Sequence, residues 1–250
     1  MWTTPLAGPG WRALAGHGGP VLPPLLTDLL DLVLPAGCAG CGAPAELWCA
    51  DCARGIGPPR TAPRPPGVPP TIAVGLYQGP LRKALLAYKE RGRRDLADPL
   101  ADMLARAVRH RAPARCWLVP APSRPAAARA RGGDHVRALV DRVADRLAVP
   151  AGTGIGVSRS VRMRAGTRDS VGLAPDARAA NLRGRVVART EDLPPPGAEV
   201  LLIDDVITTG STLRACAEAL AAVGVAVDGA VVLCDATGGT ARRPWSAGLR

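Results

Sequence analysis

The sequence has no phenylalanine and two tyrosines, and only two of its 32 basic residues are lysines, Lys83 and Lys89. The shortage of aromatic residues counts against a surface that binds single-stranded nucleic acid by stacking bases on aromatic rings. The net charge of +11 is therefore almost entirely arginine, and it favours anionic partners such as phosphates, nucleic acid or an anionic membrane surface. Part of this charge reflects a composition rich in Ala, Gly, Pro and Arg.

A clean apolar run of about 20 residues, which a membrane-spanning helix requires, is missing. The most apolar N-terminal stretch, VLPPLLTDLLDLVLP, is broken by prolines and carries Asp28 and Asp31. The charged n-region and small-residue cleavage site of a signal peptide are missing as well. Cys116, Cys216 and Cys234 lie in apolar surroundings typical of reduced thiols. We therefore expect a cytoplasmic protein without membrane insertion.

Changes in composition divide the chain into five segments. The proline-rich stretch GIGPPRTAPRPPGVPP marks the clearest boundary, because proline fixes φ and removes a hydrogen-bond donor. The predicted segments are an N-terminal extension with a short amphipathic helix over 25–34 (1–35), a four-cysteine module (36–56), an extended linker (57–70), an α/β domain (71–235) and a tail (236–250).

The pattern after Thr71 alternates strands with helices. The stretches TIAVGLY, CWLVPAP, GIGVS, RVVAR, EVLLIDDV and VAVDGAVVLC predict strands, whereas DHVRALVDRVADRLA and STLRACAEALAAVG predict helices. Between the first two strands we expect a helical region that is interrupted near Gly92 and Pro99. Residues 158–185 lack periodicity and predict a mobile loop. Strands separated by helices are typical of an α/β fold with a mainly parallel sheet and right-handed crossovers.

Four cysteines fall in one short window, CAGCGAPAELWCADC. Cys38, Cys41, Cys49 and Cys52 form two C-x-x-C pairs, a spacing that lets four thiolates collect a tetrahedral Zn²⁺ ion. Local redox dithiols or free thiols are the alternative, which two pairs so close together make less favourable. Four protein ligands leave no open position on the metal, so the sequence predicts a structural zinc site.

A second motif, LLIDDVITTGST, places Asp204 and Asp205 at the end of an apolar strand. The loop Thr208–Thr212, which leads into a helix, should direct backbone N–H groups at a phosphate, and Gly210 allows close approach. Because carboxylates repel a phosphate, they should address the hydroxyls of a sugar or a Mg²⁺ ion. The sequence therefore predicts a sugar-phosphate site at the carboxyl end of the strand.

The motif allows two other interpretations. The acids could merely cap the strand end and helix, with TTGST an ordinary turn. An ATPase P-loop requires the pattern G-x-x-x-x-G-K-[ST], which is absent because neither lysine follows a glycine.

The acidic strand end and its T-T-G-x-T loop resemble the motif by which type I phosphoribosyltransferases bind 5-phosphoribosyl-1-diphosphate (PRPP). Together with the four cysteines, the chain resembles the ComF family more narrowly, in which a zinc module precedes such a domain. The segments YQGPLRKALLAYKERGRRDLA, LVPAPSRPAAARARGGDH and TRDSVGLAPDARAANLRG resemble that family's first strand–helix unit, pyrophosphate loop and mobile loop. Gly133, Asp134, His135 and Ser170 depart from the family's pattern.

The resemblance implies specific roles. The PRPP-binding residues would be Asp204, Asp205, Val206, Ile207, Thr208, Thr209, Gly210, Ser211 and Thr212. The pyrophosphate would be bound by Ala121, Pro122, Ser123, Arg124 and Arg131. Arg168, with Arg162 and Arg164, would close over the reaction centre, so that Asp204, Asp205 and Arg168 are the candidate catalytic residues.

Two further residues are predicted to have no catalytic role. Lys89 could reach the site, but a solvated surface lysine is the simpler interpretation. His135 is interpreted as a helix-start residue and not as a base.

The resulting expectation is a phosphoribosyltransferase that uses Mg²⁺, releases pyrophosphate and acts on an unknown acceptor. The alternative is a non-catalytic PRPP-sensing protein, or a DNA-handling protein associated with DNA uptake. The acceptor and the oligomeric state do not follow from the sequence.

Overall fold

The computed structural model describes residues 37–44, 46–63, 65–111, 115–123, 125–130, 132–148, 154–164 and 184–237. The chain divides into two compact units, residues 1–35 and 36–250, and all described residues belong to the second. The helix predicted over 25–34, most of the loop predicted over 158–185 and most of the tail lie outside the described residues. No described helix has both the length and the apolar character needed to cross a membrane.

The described residues form eight strands and six α-helices. The strands are β1 Arg60–Thr61, β2 Thr71–Leu76, β3 Cys116–Pro120, β4 Ile155–Val157, β5 Val161–Met163, β6 Val186–Ala188, β7 Val200–Ile207 and β8 Gly229–Asp235. The helices are α1 Ala50–Ile56, α2 Gly79–Glu90, α3 Ala97–Arg111, α4 Pro125–Ala130, α5 His135–Leu147 and α6 Ser211–Ala221, and a 3₁₀ turn spans Arg94–Leu96.

Six of the strands form the main sheet in the order β1-β2-β8-β7-β3-β4. Strands β2, β8, β7, β3 and β4 are parallel to their neighbours, and β1 is antiparallel to β2 at one edge. The expected α/β fold with a mainly parallel sheet is confirmed. The central strands β7 and β8 are buried on both faces and therefore have nearly continuous apolar sequences.

Helices cover both faces of the sheet. On one face α2, α3 and α5 pack against Leu201 and Ile203 of β7. On the other face α6 and the β5–β6 hairpin pack against Leu202. Consecutive residues of β7 therefore contribute to different cores, as the two-residue repeat of a strand requires.

Two local expectations were wrong in part. The helical region after α2 is interrupted at Gly92, as expected, but Pro99 lies inside the first turn of α3. Proline is tolerated there because a first-turn N–H has no intrahelical acceptor. The predicted loop over 158–185 contains β5, which pairs with β6 through the buried Val161.

The proline-rich stretch predicted as a linker packs onto the domain. Its β1 residues pair with β2, and Ala62 and Val68 are buried in the core on the α6 side. The division of the chain into five segments stays a prediction.

Candidate functional site

The four cysteines of the N-terminal module converge on one point. Their sulfur atoms all lie within 4.8 Å of one another, with Cys38 Sγ 3.7 Å from Cys52 Sγ and Cys41 Sγ 3.6 Å from Cys49 Sγ. A tetrahedral ion with metal–sulfur bonds of about 2.3 Å requires sulfur–sulfur distances of roughly 3.8 Å. These four thiols therefore form a site that could hold a metal ion.

Backbone groups in this module stabilise thiolate charge. The N–H of Cys49 donates to Cys38 Sγ at 3.4 Å, and the N–H of Cys52 donates to Cys49 Sγ at the same distance. Burial raises the pKa of Cys38, but backbone hydrogen bonds outweigh it and lower that pKa to about 6. A Cβ at Gly40 would lie 2.7 Å from Cys52 Sγ, so only glycine leaves room for this approach.

The module packs directly on the α/β domain. Trp48, which precedes α1, and Ile56, the last residue of α1, contact the core that α2 and α3 share. Ile56 Cγ2 would lie 3.0 Å from a Cβ at Gly75 of β2. The cysteine site is therefore attached to the carboxyl-terminal half of β2.

The two adjacent carboxylates near the end of β7 have different surroundings. Asp205 is 7% exposed and lies on the face covered by α2 and α5. Its Oδ2 atom is 2.6 Å from Lys89 Nζ and contacts His135 Nε2. Lys89 is in the last turn of α2, and His135 is the first residue of α5. Burial raises the pKa of Asp205, but these two partners outweigh it and lower the pKa to about 2.

Asp204 lies on the other side of the strand. It lines a small concavity of about 20 Å³ together with Thr208, Ser211 and Thr212. Its Oδ1 accepts a hydrogen bond of 2.8 Å from the N–H of Asp205. Burial raises the pKa of Asp204 to about 8, and the neighbouring Asp205 carboxylate adds to the effect. The pair therefore favours a single negative charge, held on Asp205, and disfavours a second charge on Asp204.

The loop after the acids forms the start of α6. Gly210 is buried with φ of 71°, and a Cβ there would lie 2.6 Å from Val68 Cγ2, so glycine is required on both counts. Thr209 Oγ1 donates to Ser211 Oγ at 3.0 Å. The first N–H groups of a helix have no intrahelical acceptor, and Thr208 and Thr209 are exposed beside them. The concavity has room for about one water-sized group.

The described residues of the loop predicted to bind pyrophosphate offer few available donors. The N–H of Ala121 donates to Ile203 O at 2.8 Å, and Pro122 has no N–H. The N–H of Ser123 donates to Asp134 Oδ2 at 3.2 Å, and its hydroxyl donates to Asp134 Oδ1 at 2.9 Å. The other predicted residues of this group, Arg124 and Arg131, lie outside the described residues, as does Arg168.

The structure corrects the interpretation of two residues. Lys89 is not a solvated surface lysine but pairs with Asp205, and it is 22% exposed. His135 does begin a helix, as expected, but its ring also contacts Asp205. The rarity of lysine in this arginine-rich chain was a signal that could have drawn attention to Lys89. Sequence reasoning also missed Asp134, which caps α5 through the N–H groups of Val136 and Arg137.

A cavity of about 460 Å³ lies beside Lys89 and His135, the two residues that contact Asp205. The ends of α2 and α4, the start of α5 and the 3₁₀ turn enclose it. Basic side chains line it together with two acids and a tyrosine, and the charged or titratable lining residues are Tyr88, Lys89, Glu90, Arg94, Asp134, His135 and Arg142. Lys89 and His135, the two partners of Asp205, therefore lie between this cavity and the carboxylate.

Comparison with known proteins identifies a phosphoribosyltransferase-like region in the carboxyl-terminal half of the chain. Residues 137–247, less than half of the chain, match a family model described as a phosphoribosyl transferase domain. The chain is also 45% identical over 56 residues to the adenine phosphoribosyltransferase of Xanthomonas axonopodis pv. citri (strain 306). That similarity covers 22% of this chain and spans about 30% of the length of the relative. The matches support a phosphoribosyltransferase-like domain, and the mainly parallel sheet is consistent with the type I phosphoribosyltransferase fold.

Proposed function

We propose that the protein binds PRPP with Mg²⁺ at the carboxyl end of β7 and transfers its phosphoribosyl group to an acceptor. The observation that carries this proposal is the juxtaposition of Asp204 with the Thr208–Thr212 loop at the start of α6. Carboxylates and a phosphate-binding helix start are needed together when one ligand has both hydroxyls and a phosphate. In open α/β sheets, ligands bind at the carboxyl ends of the strands, where this group lies.

The chain's own residues would act by positioning and charge. The Thr208–Thr212 loop would hold the 5′-phosphate through backbone N–H groups and hydroxyls, and the carboxylates would accept hydrogen bonds from the ribose. The acceptor's nucleophilic atom would then form a bond to C1 of the ribose as the bond from C1 to the diphosphate oxygen breaks. The diphosphate leaves with the bonding electron pair.

The donor set at the strand end fits Mg²⁺. Carboxylate oxygens are ligands that this ion prefers, and it usually retains water and substrate phosphates as further ligands. Because Asp204 and Asp205 lie on opposite sides of β7, a single ion would be held by one of these two carboxylates. The ion would supply charge neutralisation for the phosphates. Because the pKa of Asp204 is raised to about 8, binding of a cation should release a proton from this side chain near neutral pH.

We further propose that the four-cysteine module binds one structural Zn²⁺ and that the protein is a cytoplasmic member of the ComF family. The sulfur distances support zinc, because they match those of a four-thiolate tetrahedral site. The combination of this module with a phosphoribosyltransferase-like domain supports the family assignment. Elemental analysis of protein purified without chelators should give about one zinc per chain.

One observation favours a non-catalytic alternative, a PRPP sensor or a DNA-handling protein. Ser123 donates both its N–H and its hydroxyl to Asp134, so these groups cannot hold a leaving diphosphate without rearrangement. Binding of the 5′-phosphate loop to PRPP does not require that rearrangement.

A binding assay and a turnover assay separate these functions. We expect calorimetry to detect Mg–PRPP binding, and we expect Asp204→Asn to weaken it by more than tenfold, about 1.4 kcal/mol. Pyrophosphate release would then be followed across nitrogen nucleophiles, with and without DNA. If PRPP binds but no acceptor leads to pyrophosphate release, the non-catalytic PRPP sensor is the supported function. If the wild-type protein does not bind PRPP, the proposed function is refuted.

A further inference from the structure

Lys89 is the counter-ion of the Asp205 carboxylate, which is almost inaccessible to solvent. Its ammonium is 2.6 Å from Asp205 Oδ2, whereas Lys83, the other lysine of the chain, is exposed on the same helix. A buried carboxylate is stable as an anion only when it is paired and hydrogen-bonded. Lys89 provides that positive charge and His135 a second contact to the same oxygen.

A metal ion at Asp205 and the ammonium at its present position are electrostatically incompatible. Both would lie within a few ångströms of one carboxylate oxygen, and like charges at such a distance repel strongly where little water screens them. Binding of a divalent cation at Asp205 therefore requires the ammonium to move away.

The structure offers a place for the ammonium to go. Lys89 also lines the 460 Å³ cavity, whose other cationic residues include Arg94 and Arg142. A lysine ammonium is a point charge on a flexible four-carbon stem, so it can exchange one anionic partner for another without movement of its helix. A diphosphate that bridges from the strand end towards this cavity would be such a partner.

We propose that Lys89 is an internal substitute for the metal: it neutralises Asp205 in the unliganded protein and moves to the diphosphate of the ligand when a divalent cation binds the carboxylate. The ligand in this inference rests on the proposed function. The competition between Lys89 and a cation at Asp205 does not, because it depends only on the contact between the two side chains.

The wild-type protein allows a direct test, because it has two lysines. Labelling with ¹³C-lysine gives one Cε resonance for each, and Lys83→Arg assigns them. We expect Mg²⁺ alone to shift the Lys89 resonance and Mg–PRPP to shift it further, while the Lys83 resonance stays in place. An unchanged Lys89 resonance at saturating Mg–PRPP would overturn the proposal.

Binding to variants separately tests the two parts of the proposal, which are competition with a cation at Asp205 and contact with the diphosphate. Lys89→Met should bind Mn²⁺ alone, measured by electron paramagnetic resonance, three- to tenfold more tightly than wild type because its competitor is gone. The same variant should bind Mg–PRPP at least tenfold more weakly because the diphosphate loses a partner. Lys83→Met, at an exposed position of the same helix, should change neither affinity.

The opposite changes expected in the affinities for Mn²⁺ and for Mg–PRPP distinguish this role from a structural one. A loss of both affinities in Lys89→Met, or unfolding of the variant with no metal-induced shift of Lys89 in the wild-type spectrum, would overturn the proposal. If the wild type binds no Mg–PRPP, the proposed function fails together with the diphosphate half of this inference. The Mn²⁺ measurement would still decide whether Lys89 competes with a cation.

Discussion

Asp204→Asn should stabilise the protein at neutral and alkaline pH, although it removes a proposed ligand-binding group. Burial and the neighbouring Asp205 carboxylate raise the pKa of Asp204 to about 8, compared with an ordinary value of 3.8. The folded protein therefore holds a proton on this side chain that the unfolded chain releases near pH 4. The free energy of unfolding that this proton contributes is fully present below the unfolded-state pKa. It is lost as the pH rises through the folded-state pKa.

The magnitude follows from the interval between the two pKa values. At about 1.4 kcal/mol for each unit, an interval of about four units corresponds to on the order of 5 kcal/mol of lost stability. Asp204 is partly exposed at the strand end, where solvent screening lowers this value, so we expect about 3 kcal/mol. Asparagine cannot ionise and avoids this loss. Asp205 is ionised in both proteins between pH 5 and 9, so its own titration largely cancels in the comparison.

Urea denaturation at pH 5, 7 and 9, under reducing conditions and without Mg²⁺, measures this difference. The gain in the free energy of unfolding for Asp204→Asn should be smallest at pH 5 and largest at pH 9. Asp145→Asn, an exposed position on α5, serves as the control and should parallel the wild type. If Asp204→Asn also parallels the wild type at all three pH values, Asp204 is not protonated in the folded protein and the reasoning is refuted.

Four further outcomes are expected. Asp205→Asn should destabilise the fold by about 3 kcal/mol in denaturation experiments, because it leaves Lys89 and His135 without their carboxylate; an unchanged stability would contradict the ion pair. Cys41→Ser should lower the zinc content measured by elemental analysis, and a full complement of metal would exclude Cys41 as a ligand. Gly210→Ala should cost at least about 1–2 kcal/mol because of its positive φ, and Val68→Ala in the same chain should recover the part due to the clash. If the arginines contact DNA phosphates, the log–log dependence of affinity on salt should have a slope of about −0.9 per contact, and absence of binding at low salt would refute this.

The elements with strong local signals were predictable from the sequence. The apolar stretch LLIDDV and the helical period of STLRACAEAL are long enough to identify β7 and α6, and the Gly210 turn between them follows from local backbone requirements. Short elements were not predictable, because three residues such as those of β5 become a strand only when β6 lies beside them. Pro99 was misinterpreted because proline interrupts a helix interior but is accepted in its first turn.

The sequence by itself determined the two motifs, since each needs groups that are close along the chain. The cysteines from Cys38 to Cys52 can reach one ion through local turns, and the acids of β7 are joined directly to the loop that follows them. Tertiary structure alone decided that the two acids differ. The pleat of β7 turns Asp205 towards the ends of α2 and α5, where Lys89 and His135 hold it as an anion. Asp204 faces the other way into a half-buried corner that favours its protonated form, because a charge without such partners is costly to remove from water.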